Sequence, residues 1–372
     1  MSRAAAPADE SGAMLHPRRN PDLWGHEAVE RLLLSAWSSG RMPHAWLIGG
    51  PPGIGKATLA FRFARFVLAN PSPQAAGGLF GAAALPETLA LSPDDPVFLR
   101  VASGGHSDML TIERQMDEKR GQMKRDIAVD DVRRIAPFLR RTAAEGGWRV
   151  AVIDGADRMN TSGLNAILKI LEEPPPSTLL LLVSDNPGGL LPTIRSRCRK
   201  LVLNPLNEGL VADLLGRHRP ALPETARLAL ARLGEGSIGR AMALADAGGL
   251  DLYRSIITLL GGLPRLDIAA AHAFADQLGR GQDTGMYGTA TDLLVWWLAR
   301  FTRALAVGAW PAEVVAGEIA LMTRLAGGSG GLDRWVEVWE KIRTLFMRAD
   351  SANLDRKQVV LNALLTLEAA AA

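Results

Sequence analysis

The chain has almost no cysteine: Cys198 is the only one in 372 residues. A single thiol excludes an internal disulfide and any cysteine-rich zinc site within one chain, which makes the cytoplasm the expected compartment. An excess of charge is also missing. With 42 Lys+Arg against 39 Asp+Glu the formal net charge is +3, so any contact with nucleic acid has to be local or shared with partners. No run approaches the ~20 apolar residues of a membrane span, and Met1–Glu10 lacks the apolar core of a signal peptide, so no membrane association is expected. Hydrophobic residues at 48% and charged residues at 22% are instead the proportions of a folded globular protein. The length predicts two or three domains.

Residues 1–20 are rich in Ala, Pro and charge without periodicity and read as a flexible leader. From Asp22 the pattern changes: Val29, Leu32, Leu33, Ala36 and Trp37 recur at helical spacing up to Ser38-Ser-Gly40. The strand-like run Ala45–Ile48 leads into a glycine-rich loop ending at Lys56, and Thr58–Leu68 reads as helix. Residues 70–105, dense in Pro, Gly and Ala, read as an irregular insertion with some helix from Ala82 to Leu91. A helix is expected over Ile127–Leu139 and another over Leu164–Glu173, stopped by Pro174. The near-continuous apolar runs Trp148–Ile153 and Thr178–Val183 suit strands covered on both faces, as in a parallel sheet with flanking helices. Beyond about residue 205 only amphipathic helices are predicted, a short set to about 246 and a longer one to the end.

The chemistry-bearing motif is Gly50-Pro-Pro-Gly53-Ile-Gly55-Lys56, which fits the first seven positions of a phosphate loop. Such a loop curls backbone N–H groups around phosphate oxygens and extends a lysine to the terminal phosphates. The eighth position should carry the hydroxyl that binds Mg²⁺. Here it is Ala57, and the hydroxyl arrives one residue late at Thr58, a displacement of ~100° around a helix. Val150–Asp154 supplies the strand and aspartate expected opposite the loop, but Gly155 stands where a water-activating glutamate is required. Asp157 is read as a cap for the helix that follows.

Asp154-Gly-Ala-Asp157, Asn165–Pro175 and Leu190–Cys198, in that order after the phosphate loop and Pro43-His44, resemble the clamp-loader AAA+ family, most closely its bacterial delta-prime branch. The resemblance covers about residues 22–205. It implies an α/β AAA+ P-loop domain over 21–205, a small helical lid over 206–246 and an all-α collar over 247–372. It further implies a hetero-pentameric DNA polymerase III clamp loader as the setting. There the chain would assemble with the clamp-loader ATPase subunits and the delta subunit, and reach the sliding clamp and primer-template DNA through the complex. In that family the Ser-Arg-Cys motif, here Ser196-Arg197-Cys198, presents an arginine finger in trans to ATP on the adjacent subunit. On residues alone, Arg197 could equally pair with a local carboxylate. The nucleotide-contacting positions carried over are Gly50, Gly53, Gly55, Lys56, Thr58 and Asp154, with ATP bound without hydrolysis. Ser184 or Asp185 falls where a γ-phosphate sensor would stand, and Arg240 near a second sensor position.

Delta-prime relatives often carry a four-cysteine zinc module. This chain has none of those cysteines, so zinc is not expected, and His106 reads as a loop residue rather than a ligand. The cluster Arg114, Lys119, Arg120, Lys124, Arg125, interleaved with Glu113, Asp117, Glu118 and Asp126, reads as a solvated charged helix in preference to a DNA-facing patch. The competing function is an active AAA+ ATPase, either a clamp-loader motor or a Holliday-junction helicase, against which Ala57 and Gly155 argue.

Overall fold

A computed structural model describes residues 15–72, 77–78, 81–82, 86–117, 122–145, 147–280, 284–328, 331–352 and 354–372. Its contacts divide the chain into two units. One contains the residues up to Leu210 together with Gly236–Gly239, and the other contains Val211–Glu235 and Arg240–Ala372.

In the first unit, strands β1 (Ala45–Gly49) and β4 (Thr178–Ser184) are buried at every residue, and β3 (Arg149–Asp154) at every residue but the last. Burial on both faces is why these strands read as unbroken apolar runs. With β2 (Met109–Ile112) and β5 (Arg199–Val202) they form one parallel sheet in the order β2-β3-β4-β1-β5. The period of two sorts their side chains onto two cores. Trp46, Ile48, Val152 and Leu181 pack with helices α1 (Glu27–Ser38) and α2 (Lys56–Ala69). Leu47, Ile153 and Leu182 pack on the opposite face with Ile167, Ile170 and Leu171. Helix α2 places Phe61, Phe63 and Phe66 in the first core at 0–1% exposure, each worth about 2–3 kcal/mol of transfer free energy.

Register brings the functional ends together. Gly49 lies opposite Ser184 and Val202, and Asp154 opposite Val183. The C-terminal edges of β1, β3 and β4 therefore align, at the edge where open α/β sheets take their ligands.

Several expectations are corrected. Pro96–Ser103 is a helix, α3, capped by Asp95 and ended by Gly104 in the left-handed region, whereas the helix expected over Ala82–Leu91 is absent from the described part of that span. The rest of that span lies outside the described residues. Ile127–Leu139 is not one helix but two, α4 (Val129–Arg133) and α5 (Ile135–Leu139). Pro137 is the reason: it has no N–H to donate back to Arg133, so a continuous ladder cannot form. The charged segment around Arg114 is not helical where described. Met116–Asp117 and Gln122–Met123 pair as a short antiparallel ribbon, while Lys119 and Arg120 lie outside the described residues. The described end of the predicted leader is tied down. Arg65 of α2, 2% exposed, donates to the carbonyls of Arg18 (3.0 Å) and Asn20 (2.9 Å) and lies over the Phe98 ring. Burial, with Arg62 nearby, lowers its guanidinium to about 10.

After β3, α6 (Thr161–Glu172) crosses to β4, and α7 (Pro192–Arg195) precedes β5. The helices that follow are α8 (Glu208–His218), α9 (Glu224–Gly234), α10 (Ile238–Asp246), α11 (Gly249–Leu260) and α12 (Ile268–Arg280). They continue as α13 (Thr284–Val307), α14 (Glu318–Ala326), α15 (Gly331–Ala352) and α16 (Arg356–Ala371). Every regular element of the second unit's described residues is a helix. Its core stacks Trp297 on Phe301, with Trp335 edge-on to the latter. Glu318, 1% exposed, is satisfied by the Tyr253 hydroxyl (2.6 Å), Arg300 (2.7 Å) and the Val314 N–H (2.7 Å). Asp355 caps α16, which buries Val359, Val360 and Leu364 but leaves Leu365 49% exposed. No described helix is long and apolar enough to cross a membrane.

Candidate functional site

The phosphate loop joins β1 to α2. Gly53 (φ 72°) and Gly55 (φ 101°) sit in the left-handed region, which is why glycine is required there. Lys56 is the first residue of α2 and is only 4% exposed. Its Nζ lies 2.7 Å from Asp185 Oδ1 and also donates to the Pro51 carbonyl. Ala57 packs against the core, and Thr58 is buried one position further round the helix. In this arrangement the amine that a phosphate would meet is paired within the chain.

Asp154 ends β3 beside this cation. Burial pushes its carboxyl up to about 6, with Glu113 and Asp185 adding to the rise and Lys56 and Arg114 opposing it. Gly155 follows at φ 89°, and an added Cβ would stand 3.3 Å from Arg158 Cγ. The missing glutamate is thus a backbone property as well as a side-chain one, because the left-handed region penalises every residue with a Cβ.

The turn after β4 holds the remaining sensor candidates. Ser184 is fully buried, with its hydroxyl accepting from the Asn186 N–H at 3.2 Å. The Asp185 N–H donates to Asp157 Oδ1 at 3.0 Å. Asp157 therefore anchors this turn and is not the expected helix cap; Asn160 caps α6 by accepting from the Gly163 N–H at 2.9 Å. Arg240 lies in the second unit and pairs there with Glu235 at 3.4 Å.

Two contacts to the loop carry no motif signal. His26, buried at the head of α1, places Nε2 2.7 Å from the Ile54 carbonyl. Gly239 donates its N–H to the Gly53 carbonyl at 2.9 Å, and a Cβ there would meet Gly53 Cα at 2.9 Å. Both depend on chain folding between distant segments, so spacing could not disclose them.

Arg197 stands on the short segment between α7 and β5. Its guanidinium donates to Glu172 Oε1 at 2.8 Å and to the Thr193 carbonyl at 3.0 Å. The local carboxylate pairing therefore exists, but the partners are 36% and 49% exposed. Exposed pairs of this kind contribute roughly 0–1 kcal/mol, too little to withhold the arginine from a stronger anion. Cys198 beside it is buried in the core, and burial pushes its thiol up to about 12, which makes it a packing residue and not a nucleophile. His106 is also buried, hydrogen-bonded through Nδ1 to the Asp108 N–H at 3.2 Å, and burial lowers its pKa.

Residues 25–207 match the family described as DNA polymerase III, delta subunit. The DNA polymerase III subunit delta' of Pseudomonas aeruginosa is 35% identical over 228 residues, which are 61% of this chain and 63% of that protein. The Escherichia coli subunit delta' is 32% identical over 224 residues, covering 59% and 60% respectively. The gamma/tau subunit of Mycobacterium tuberculosis is 25% identical over 285 residues, covering 75% of this chain and 46% of that protein. The chain thus spans about three fifths of the length of the two delta' relatives. The parallel sheet and the glycine-rich loop lie within residues 25–207, the stretch that is similar to that family and to the two delta' subunits.

Proposed function

We propose that this chain is the delta-prime subunit of a DNA polymerase III clamp loader, inactive as an ATPase itself and acting on ATP through a neighbour. It joins the ATPase subunits and delta in a hetero-pentamer, with residues 206–246 as lid and 247–372 as collar, and reaches the sliding clamp and primed DNA through that complex. Arg197 is the finger: a rigid, permanently charged fork of donors suited to the γ-phosphate of an adjacent subunit's ATP. The single observation that carries this reading is a contrast within one unit. Gly155 offers no side chain to act as a base and sits in the left-handed region, which penalises any replacement, while the guanidinium of Arg197 is exposed and held by an exposed carboxylate and one backbone carbonyl.

The test is a reconstituted loader carrying Arg197→Ala. Assembly is expected to persist while DNA-stimulated hydrolysis falls; at the affected site the loss should approach the roughly 10³-fold worth of a finger. Unchanged hydrolysis would refute the assignment. The isolated chain should show no turnover near the ~1 per second of an ordinary enzyme.

A further inference from the structure

The ion pair between Lys56 and Asp185 is the feature that the function above does not use. Lys56 is buried at 4% exposure, yet two partners already take its Nζ, Asp185 Oδ1 at 2.7 Å and the loop's own Pro51 carbonyl. A buried ammonium left unpaired is expensive, so a phosphate loop without ligand needs some oxygen acceptor near its lysine. Here the chain supplies one. The Asp185 carboxylate is anionic and offers two acceptor oxygens, the features that a phosphate brings to the same amine.

The surroundings reinforce the exclusion. Asp154 nearby feels Glu113 and Asp185, with Lys56 and Arg114 as the opposing cations. An incoming triphosphate would meet the Asp185 carboxylate on the lysine with Asp154 nearby, while Glu113 is itself paired with Arg18 at 3.0 Å. The loop is also braced by backbone: the Gly239 N–H donates to the Gly53 carbonyl at 2.9 Å, at an approach that leaves no room for a side chain.

The contact is held by a side chain and not by the backbone. The Asp185 N–H is fixed on Asp157 Oδ1 at 3.0 Å, while its carboxylate is 42% exposed, so a rotation about χ1 alone would carry the carboxylate into solvent and free the amine. We propose that Asp185 is a built-in competitor for phosphate that keeps this loop shut, and that removing its charge turns the loop into a site for nucleoside di- or triphosphates. The proposal rests on the reading of residues 50–56 as a phosphate loop. It makes position 185 the determinant of whether the subunit carries nucleotide.

The experiment is equilibrium titration of the full chain with a fluorescent N-methylanthraniloyl-ATP, with unlabelled ATP and inorganic triphosphate as competitors. The proteins are wild type, Asp185→Ala, Asp185→Asn, Lys56→Ala and the double variant Asp185→Ala/Lys56→Ala. Asp185→Asn keeps the shape of the side chain and secures the test if the alanine variant does not fold. The expected result is at least tenfold tighter binding by both position-185 variants than by wild type, and its loss when Lys56→Ala is added. Equal affinity of wild type and the position-185 variants would overturn the proposal. If in that case Lys56→Ala alone abolishes tight wild-type binding, the phosphate loop stands and only the competitor falls. If no variant binds the probe, both fall together.

Discussion

Two cations in the first unit differ in burial and in how they are held, and the difference bears on the role proposed for each. Lys56 is 4% exposed and neutralised by a carboxylate from its own chain, whereas Arg197 is 36% exposed and held by a pair that solvent already screens. Ion pairs follow their surroundings: a buried cation that loses its partner incurs the cost of an uncompensated charge, and an exposed one incurs almost none. The phosphate loop has closed on itself, and the arginine segment has stayed open. The proposed action on a neighbour's ATP would use that combination.

The closed region should be costly to disturb. Arg65, on the helix that begins at Lys56, makes two charge-assisted hydrogen bonds to carbonyls of residues 18 and 20 and stacks on Phe98. Arg65→Met keeps the volume and removes the donors, leaving two carbonyls to find water. With each such bond worth about 1.5–3 kcal/mol, a loss of roughly 3 kcal/mol is expected in urea unfolding. A loss below ~1 kcal/mol would show that the closed region is less tightly tied than its geometry implies.

Asp154 carries the next largest effect, with the opposite sign. Its folded value of about 6 lies above the ordinary 3.8, so between those limits the folded chain holds a proton that the unfolded chain releases. Stability contributed by this group therefore rises as pH falls from about 6 towards 4, and is lowest above 6. A shift of about two units is nominally about 3 kcal/mol, and partial exposure reduces this to about 1–2. Asp154→Asn should accordingly gain about 1–2 kcal/mol at pH 7.5 and flatten the stability profile between pH 4 and 6. Parallel profiles for wild type and variant would remove burial as the cause.

Gly155→Glu should have an effect of similar size. It restores the side chain that AAA+ chemistry needs, but at φ 89°, where a residue with a Cβ loses about 1–2 kcal/mol. The variant is expected to be destabilised by that amount and to gain no ATP turnover, because Lys56 remains committed and Ala57 still lacks the hydroxyl.

The division between closed and open regions was only half legible in the residues. Spacing identified the loop, Lys56, Asp154 and the two central apolar strands, because backbone conformation and double-sided burial leave local signatures. β5 escaped because Arg199-Lys-Leu-Val202 sits at the edge of the sheet and carries charge there, as edge strands commonly do. β2, four residues long, follows a segment of weak pattern. The long-range partners were out of reach: Asp185 meets Lys56, His26 meets Ile54 and Gly239 meets Gly53 only after the chain has folded. Ala57 and Gly155 were legible as missing groups. That the backbone at 155 would resist repair was not, since a φ angle leaves no trace in the identity of a glycine.

Arg197→Ala should have the smallest effect on stability and is the sharpest probe of the open region. The substitution deletes one exposed ion pair with Glu172 and one hydrogen bond to the Thr193 carbonyl. Neither leaves a buried group unsatisfied, so the change should stay within about 0.5 kcal/mol. Glu172→Gln removes the same ion pair from the other side and should be equally mild. The two variants then separate on function: if the pair with Glu172 is only a resting position, Glu172→Gln leaves hydrolysis by the assembled loader intact while Arg197→Ala reduces it. Equal losses in both would mean that the ion pair itself, and not a freed guanidinium, is what the neighbouring subunit requires.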